Sequence, residues 1–107
     1  MPLYEKRTYS VMVGKMADVI RVYSELGYPL FERGGFDKYL VGYFISDTGP
    51  LHQLIHIWRF ADDNDRRAFW KRLAEHPDFQ AFASQVRPMV QAQDVQLMNP
   101  APWGPQP

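Results

Sequence analysis

The sequence predicts an α+β domain, and three observations predict it. Segments rich in Val, Ile, Tyr and Thr alternate with segments whose apolar residues recur at helical spacing. The segments run in the order β-α-β-β-α-α-β. Two of the strands are joined only by the turn-rich connector Asp47-Thr-Gly-Pro-Leu-His52, which makes them an antiparallel hairpin. Together these describe a ferredoxin-like βαββααβ antiparallel sheet with its helices on one face.

Tyr4–Met12 is the first strand, closed by Val13-Gly14. Lys15–Gly27 carries Met16, Val19, Ile20, Tyr23 and Leu26 as one helical stripe. Leu26-Gly27 reads as its ending, with a helix resuming from Pro29 to Arg33 before Gly34-Gly35. Lys38–Ser46 and Gln53–Phe60 form the hairpin. Asp62 is a good N-cap for the second helix, whose Phe69, Leu73 and Trp70 face inward. After His76-Pro77, with Pro77 in the first turn, a third helix presents Phe79, Phe82, Ala83 and Val86. Arg87-Pro88 ends it, and Gln91–Met98 is the last strand, with Val95 and Leu97 on one side. The domain spans residues 1–100, and residues 101–107 form a proline-rich tail unable to continue a helix or enter a sheet.

Composition narrows the function. The chain has 107 residues, the size of one domain. Its 12 basic and 12 acidic side chains cancel, and each half holds as many of one sign as of the other, which removes the electrostatic drive toward nucleic acid. Cys is absent, so thiol chemistry and thiolate metal sites are excluded. No apolar run reaches the ~20 residues of a membrane span. Nor does the N-terminus read as a signal peptide, so a cytoplasmic protein is expected.

The hairpin is apolar on both faces. Tyr39, Val41, Tyr43 and Ile45 alternate with Leu40, Gly42 and Phe44; Ile55 and Ile57 alternate with Leu54, His56, Trp58 and Phe60. One helix layer covers one face, so a second copy packed sheet to sheet is expected to cover the other, with C2 symmetry. The first strand is polar on both faces. Glu5, Arg7 and Tyr9 share one side at ~7 Å intervals, and they are expected to converge on a cavity in the dimer interior.

His56 is the candidate general acid or base, since it lies on an otherwise apolar strand face beside Trp58. Glu5, Arg7, Tyr9, Tyr43, Trp58 and His52 are the candidate ligand-binding residues. The hairpin register stays open by one residue, so His56 faces either Gly42 or Tyr43. His52 and His56 cannot share a metal ion from one strand, because four residues separate them by ~13 Å; no metal and no cofactor is expected. Arg66, Arg67, Lys71 and Arg72, preceded by Asp62 and Asp63, read as a solvated helix face. Two readings follow. The chain is a binding module for a small hydrophobic or aromatic ligand, or it is a cofactor-independent monooxygenase or isomerase.

The chain resembles the NIPSNAP family from Tyr4 to about Pro100. The resemblance rests on Tyr4-Glu-Lys-Arg-Thr-Tyr9, Gly14-Lys15, Val41-Gly-Tyr-Phe44, Gly49-Pro-Leu-His-Gln-Leu-Ile-His-Ile-Trp58, Asp78-Phe-Gln-Ala-Phe82 and Arg87-Pro88, in that order. It implies a dimeric α/β barrel of two ferredoxin-like subunits, in a family without a settled chemistry. More distant relatives of that barrel include cofactor-free monooxygenases and lactone isomerases. Two positions depart from the family pattern: Lys6 replaces an apolar residue, and His52 replaces Asn.

Overall fold

The computed structural model describes residues 1–107. Strands β1 (Leu3–Val11), β2 (Leu40–Ile45), β3 (Gln53–Phe60) and β4 (Val90–Met98) form one sheet. Their spatial order is β2-β3-β1-β4, and every neighbouring pair is antiparallel. The predicted ferredoxin-like fold is therefore the observed one. The molecule is only 19 Å through its thinnest direction, which admits a sheet and one layer of helices.

Helix α1 (Met16–Val22) continues through a π-helical turn at Tyr23–Gly27 into α2 (Tyr28–Gly34). The break expected at Leu26-Gly27 is absent. Gly27 serves close packing instead, since a β-carbon there would stand 2.6 Å from the Phe82 ring. The stop falls at Gly35, whose φ of +74° gives the left-handed cap. A short 3₁₀ turn over Phe36–Tyr39 then takes the residues expected to begin β2.

Helix α3 (Asp63–Glu75) starts at the predicted cap: the Asp62 carboxylate accepts from the Asp65 N–H at 2.8 Å, and the Asp65 carboxylate accepts from the Ala61 N–H at 2.9 Å. Helix α4 (Phe79–Val86) begins two residues after Pro77, with Asp78 at its N-cap position.

The register assigns each strand face. Leu54, His56, Trp58 and Phe60 are all buried, and Trp58 and Phe60 pack with Phe31, Phe69, Leu73, Phe82 and Val86 from the helices. Glu5 is opposite Trp58, Arg7 opposite His56 and Tyr9 opposite Leu54. Directly opposed residues share a face. Glu5, Arg7 and Tyr9 therefore lie under the helices, and the expectation that they project into a dimer interior is corrected. The charged residues could be placed there because α3 supplies a cation to meet them.

A bulge settles the hairpin. Leu40 pairs with Trp58 and Gly42 with Ile57, leaving Val41 as the extra residue. His56 is then opposite Tyr43, not Gly42. Leu40 also shifts to the helix side with Tyr43 and Ile45, against the strict alternation expected. The uncovered face is mixed: Phe44, Ile55 and Ile57 make an apolar strip beside Lys6, Thr8, Ser10, Asp94 and Gln96.

The tail folds back over one end of that face. The Tyr4 hydroxyl donates to the Pro107 carbonyl at 2.5 Å, and Tyr4 is buried. Trp103 stays exposed, at 76%.

His52 has a φ of +60°, the only non-glycine residue in the left-handed region. Its carbonyl accepts from the Val11 N–H at 2.7 Å and so pins the end of β1. The position is a turn requirement, and Asn tolerates such backbone better than most residues. His52→Asn is expected to stabilise the fold by about 0.5 kcal/mol, measurable as a higher urea midpoint with an unchanged slope.

Candidate functional site

Between the sheet and α3–α4 lies a cavity of about 550 Å³. Strands contribute its floor: Arg7 and Tyr9 from β1, His56 and Trp58 from β3 and Gln93 from β4. Helices contribute its walls, with Tyr23, Phe31, Trp70, Phe79, Phe82 and Val86. The floor holds two hydrogen-bonded pairs, Arg7–Tyr9 and Trp58–His56, and the walls are mostly aromatic, which is the usual make-up of a small-molecule site.

Glu5 is fully buried. Its carboxylate accepts from Arg7 Nε at 2.8 Å and from Arg66 Nη1 at 2.7 Å. Arg66 also donates to Asp63 at 2.9 Å, and Asp63 accepts from Arg67 at 2.7 Å. A buried carboxylate survives only when paired and hydrogen-bonded, and here two guanidinium groups do it. Arg66 was expected on a solvated face; its side chain is instead 15% exposed and reaches across to β1. Asp63 and Arg67 pair along the helix, whereas Asp62 is occupied in capping it.

Arg7 is held in one place by three contacts. Besides Glu5, its Nη1 donates to the Tyr9 hydroxyl at 3.4 Å, and its guanidinium lies 3.8 Å from the centre of the Trp70 ring. Burial works against its charge, but Tyr9 and Glu5 outweigh burial and raise its pKa.

His56 is ringed by tyrosines. Its ring centre is 4.7 Å from Tyr9, 4.8 Å from Tyr43 and 6.1 Å from Tyr23. Trp58 Nε1–H donates to His56 Nδ1 at 3.1 Å. An indole nitrogen can only donate, so Nδ1 is the acceptor and the ring proton sits on Nε2. Nε2 is buried without a hydrogen-bond partner in the chain, and so is the Tyr43 hydroxyl. Burial, and then the charge of Arg7, push the His56 pKa down to about 3. Burial likewise raises Tyr23 and Tyr43, so both phenols stay protonated.

Burial of His56 makes stability depend on pH. Between its ordinary 6.5 and about 3, the unfolded chain binds a proton that the folded chain refuses. The contribution is complete above the ordinary value and declines as pH falls, at about 1.4 kcal/mol per pH unit. Urea midpoints taken at about pH 5 and about pH 7 should therefore differ less in His56→Gln than in the parent protein.

Of the residues chosen from the sequence, Arg7, Tyr9, His56 and Trp58 line one cavity. Glu5 stands behind Arg7 as its anchor. Tyr43 packs on His56 from the side and lines a second, smaller cavity of about 340 Å³ with Val19, Tyr28 and Ile45. Tyr23 lies between the two cavities and lines both. His52 lies in the connector, outside the residues that line either cavity. No three His, Asp or Glu side chains stand close enough to hold a metal ion. Tyr23, Trp70, Phe82, Arg66 and Arg87 were missed as site residues. Tyr23, Trp70 and Phe82 do lie on inward helix stripes, but a stripe does not separate cavity wall from packed core.

The fold and the site define an α+β domain with an aromatic-walled cavity between its sheet and its helices. The family model for NIPSNAP matches residues 4–105, and the chain belongs to the NIPSNAP family. A NIPSNAP family protein from Agrobacterium tumefaciens strain C58 is 30% identical, with a TM-score of 0.91 over 98% of each chain. A second from the same organism, described as of unknown function, is 30% identical with a TM-score of 0.89, over 97% of this chain and 92% of that one. An uncharacterised NIPSNAP domain protein from Burkholderia xenovorans is 29% identical, with a TM-score of 0.86 over 97% and 99%. An antibiotic biosynthesis monooxygenase is 16% identical with a TM-score of 0.64, over 94% and 99%, which is a likeness of fold alone. No functionally curated protein matches the chain. No helix is long and apolar enough to cross a membrane.

Proposed function

We propose that the chain works as a homodimer in which the cavity of each protomer binds a small hydrophobic or aromatic molecule. The observation that carries this is the division of the cavity: six aromatic rings make its walls and floor beside one compact polar cluster, Arg7, Tyr9 and His56. Such a site holds a flat apolar body and orients one polar substituent. The dimer reading is supported by the uncovered sheet face, where Phe44, 52% exposed, adjoins Ile55 and Ile57. A second copy on that face would hide the apolar strip and would set Lys6, Thr8 and Asp94 in its interior.

The alternative is a cofactor-independent monooxygenase or isomerase with His56 as its base. The His56 geometry favours binding instead. Nδ1 is taken by Trp58, and a ring this reluctant to accept a proton serves as a hydrogen-bond donor through Nε2–H rather than as a base.

Native mass spectrometry of the purified protein tests both parts. The expected spectrum shows a dimer with one small molecule per protomer, and that molecule is recovered unchanged after release in air. A monomer at micromolar concentration overturns the dimer. Recovery of an oxygenated or isomerised product shifts the conclusion to the enzymatic reading.

A further inference from the structure

We infer that the cavity selects an anion, a planar aromatic carboxylate whose charge rests on Arg7 and Tyr9. This rests on the reading that the cavity is a ligand site, and it names the chemical class of the ligand.

Charge is the first argument. The lining includes two guanidinium groups, Arg7 and Arg87, and not one Asp or Glu. His56 adds no compensating negative charge. Glu5 lies behind Arg7 but is already shared with Arg66, and the linked cluster sets Arg7, Arg66 and Arg67 against only Glu5 and Asp63. The surplus member, Arg67, is 71% exposed to solvent, so the asymmetry lies in the cavity lining itself, where Arg7 and Arg87 meet no carboxylate.

Geometry is the second. Arg7 spends Nε on Glu5 and Nη1 on Tyr9, and Nη2 has no hydrogen-bond partner in the chain. Its plane is fixed against Trp70, so the free N–H groups are oriented before a ligand arrives. The Tyr9 hydroxyl accepts from Arg7, which leaves its own proton to donate. Two adjacent donors, one charged, suit the two oxygens of a carboxylate. The aromatic walls then take the ring. An organic cation would meet two guanidinium groups and no carboxylate.

Isothermal titration calorimetry with 2-naphthoate and its neutral isostere 2-naphthamide tests the inference. Naphthoate should bind at least tenfold more tightly to the parent protein. Arg7→Gln should remove that preference while retaining naphthamide binding, and Arg87→Gln, at an exposed position, should reduce it by a smaller factor. Arg7→Lys keeps the charge and should keep part of the preference. Equal affinities of the parent protein for the two compounds overturn the anion assignment while leaving the cavity a ligand site. Binding of neither compound overturns the ligand-site reading and this inference with it. Should Arg7→Gln fail to fold, the comparison on the parent protein at low and high salt decides, because an anion preference shrinks as salt rises.

Discussion

Glu5→Ala should remove a large part of the protein's folding stability. Removing one member of a buried ion cluster costs about 3–5 kcal/mol, against a total stability for a domain this size of about 5–15 kcal/mol. The loss comes from what remains. Arg7 and Arg66 would stand side by side, 17% and 15% exposed, with no carboxylate between them. Arg66 keeps Asp63, but Arg7 keeps only the Tyr9 hydroxyl and the Trp70 ring. Glu5→Gln retains an acceptor oxygen and the side-chain volume, so it should lose roughly half as much. Urea unfolding monitored by circular dichroism measures both. A loss below about 1 kcal/mol for Glu5→Ala would mean that water reaches the two arginines and that the cluster is not a structural centre.

Trp58→Ala carries the second large effect, about 3–5 kcal/mol. Trp58 is completely buried, and its ring touches Phe31 of α2 and Phe69 and Trp70 of α3, joining both helices to the sheet. Trp58→Phe separates packing from polarity. It fills most of the volume and should cost about 1–2 kcal/mol, but it deletes the donor that holds His56 Nδ1. The expected signature is in His56 itself. Nitrogen-15 chemical shifts should report a single Nε2–H tautomer in the parent protein and a mixture in Trp58→Phe. A mixture already present in the parent would remove the ground for treating His56 as a fixed donor.

Much of the fold was legible before any coordinates, because period and turn chemistry are local. Val19 and Tyr23 lie on one helix stripe, Asp62 caps a helix, and the strand of Gln53–Phe60 alternates cleanly. The failures are local rules overridden by packing. Gly27 reads as a terminator, yet it lies where Phe82 needs room. Val41 reads as one more alternating residue, yet it is the bulge that turns Tyr43 toward His56. Arg66 reads as a surface cation because its helical neighbours are charged, whereas its partner is 61 positions away.

The candidate site divides the same way. Periodicity alone says that Glu5, Arg7 and Tyr9 share a side, and that Leu54, His56, Trp58 and Phe60 share another. It is silent on whether those two sides are the same side of the sheet, since a one-residue slip reverses every side chain. The register between β1 and β3 decides it, and sets the polar cluster against the helices rather than against a second copy. Element types, their order and the ferredoxin-like class follow from local residues, because propensity, capping and hydrophobic period are written within a few residues of one another; the family follows from its matching segments. Where the cavity lies and which nitrogen of His56 carries its proton come from tertiary packing alone. Those depend on strand register and on a tryptophan hydrogen bond, and both are relations across space.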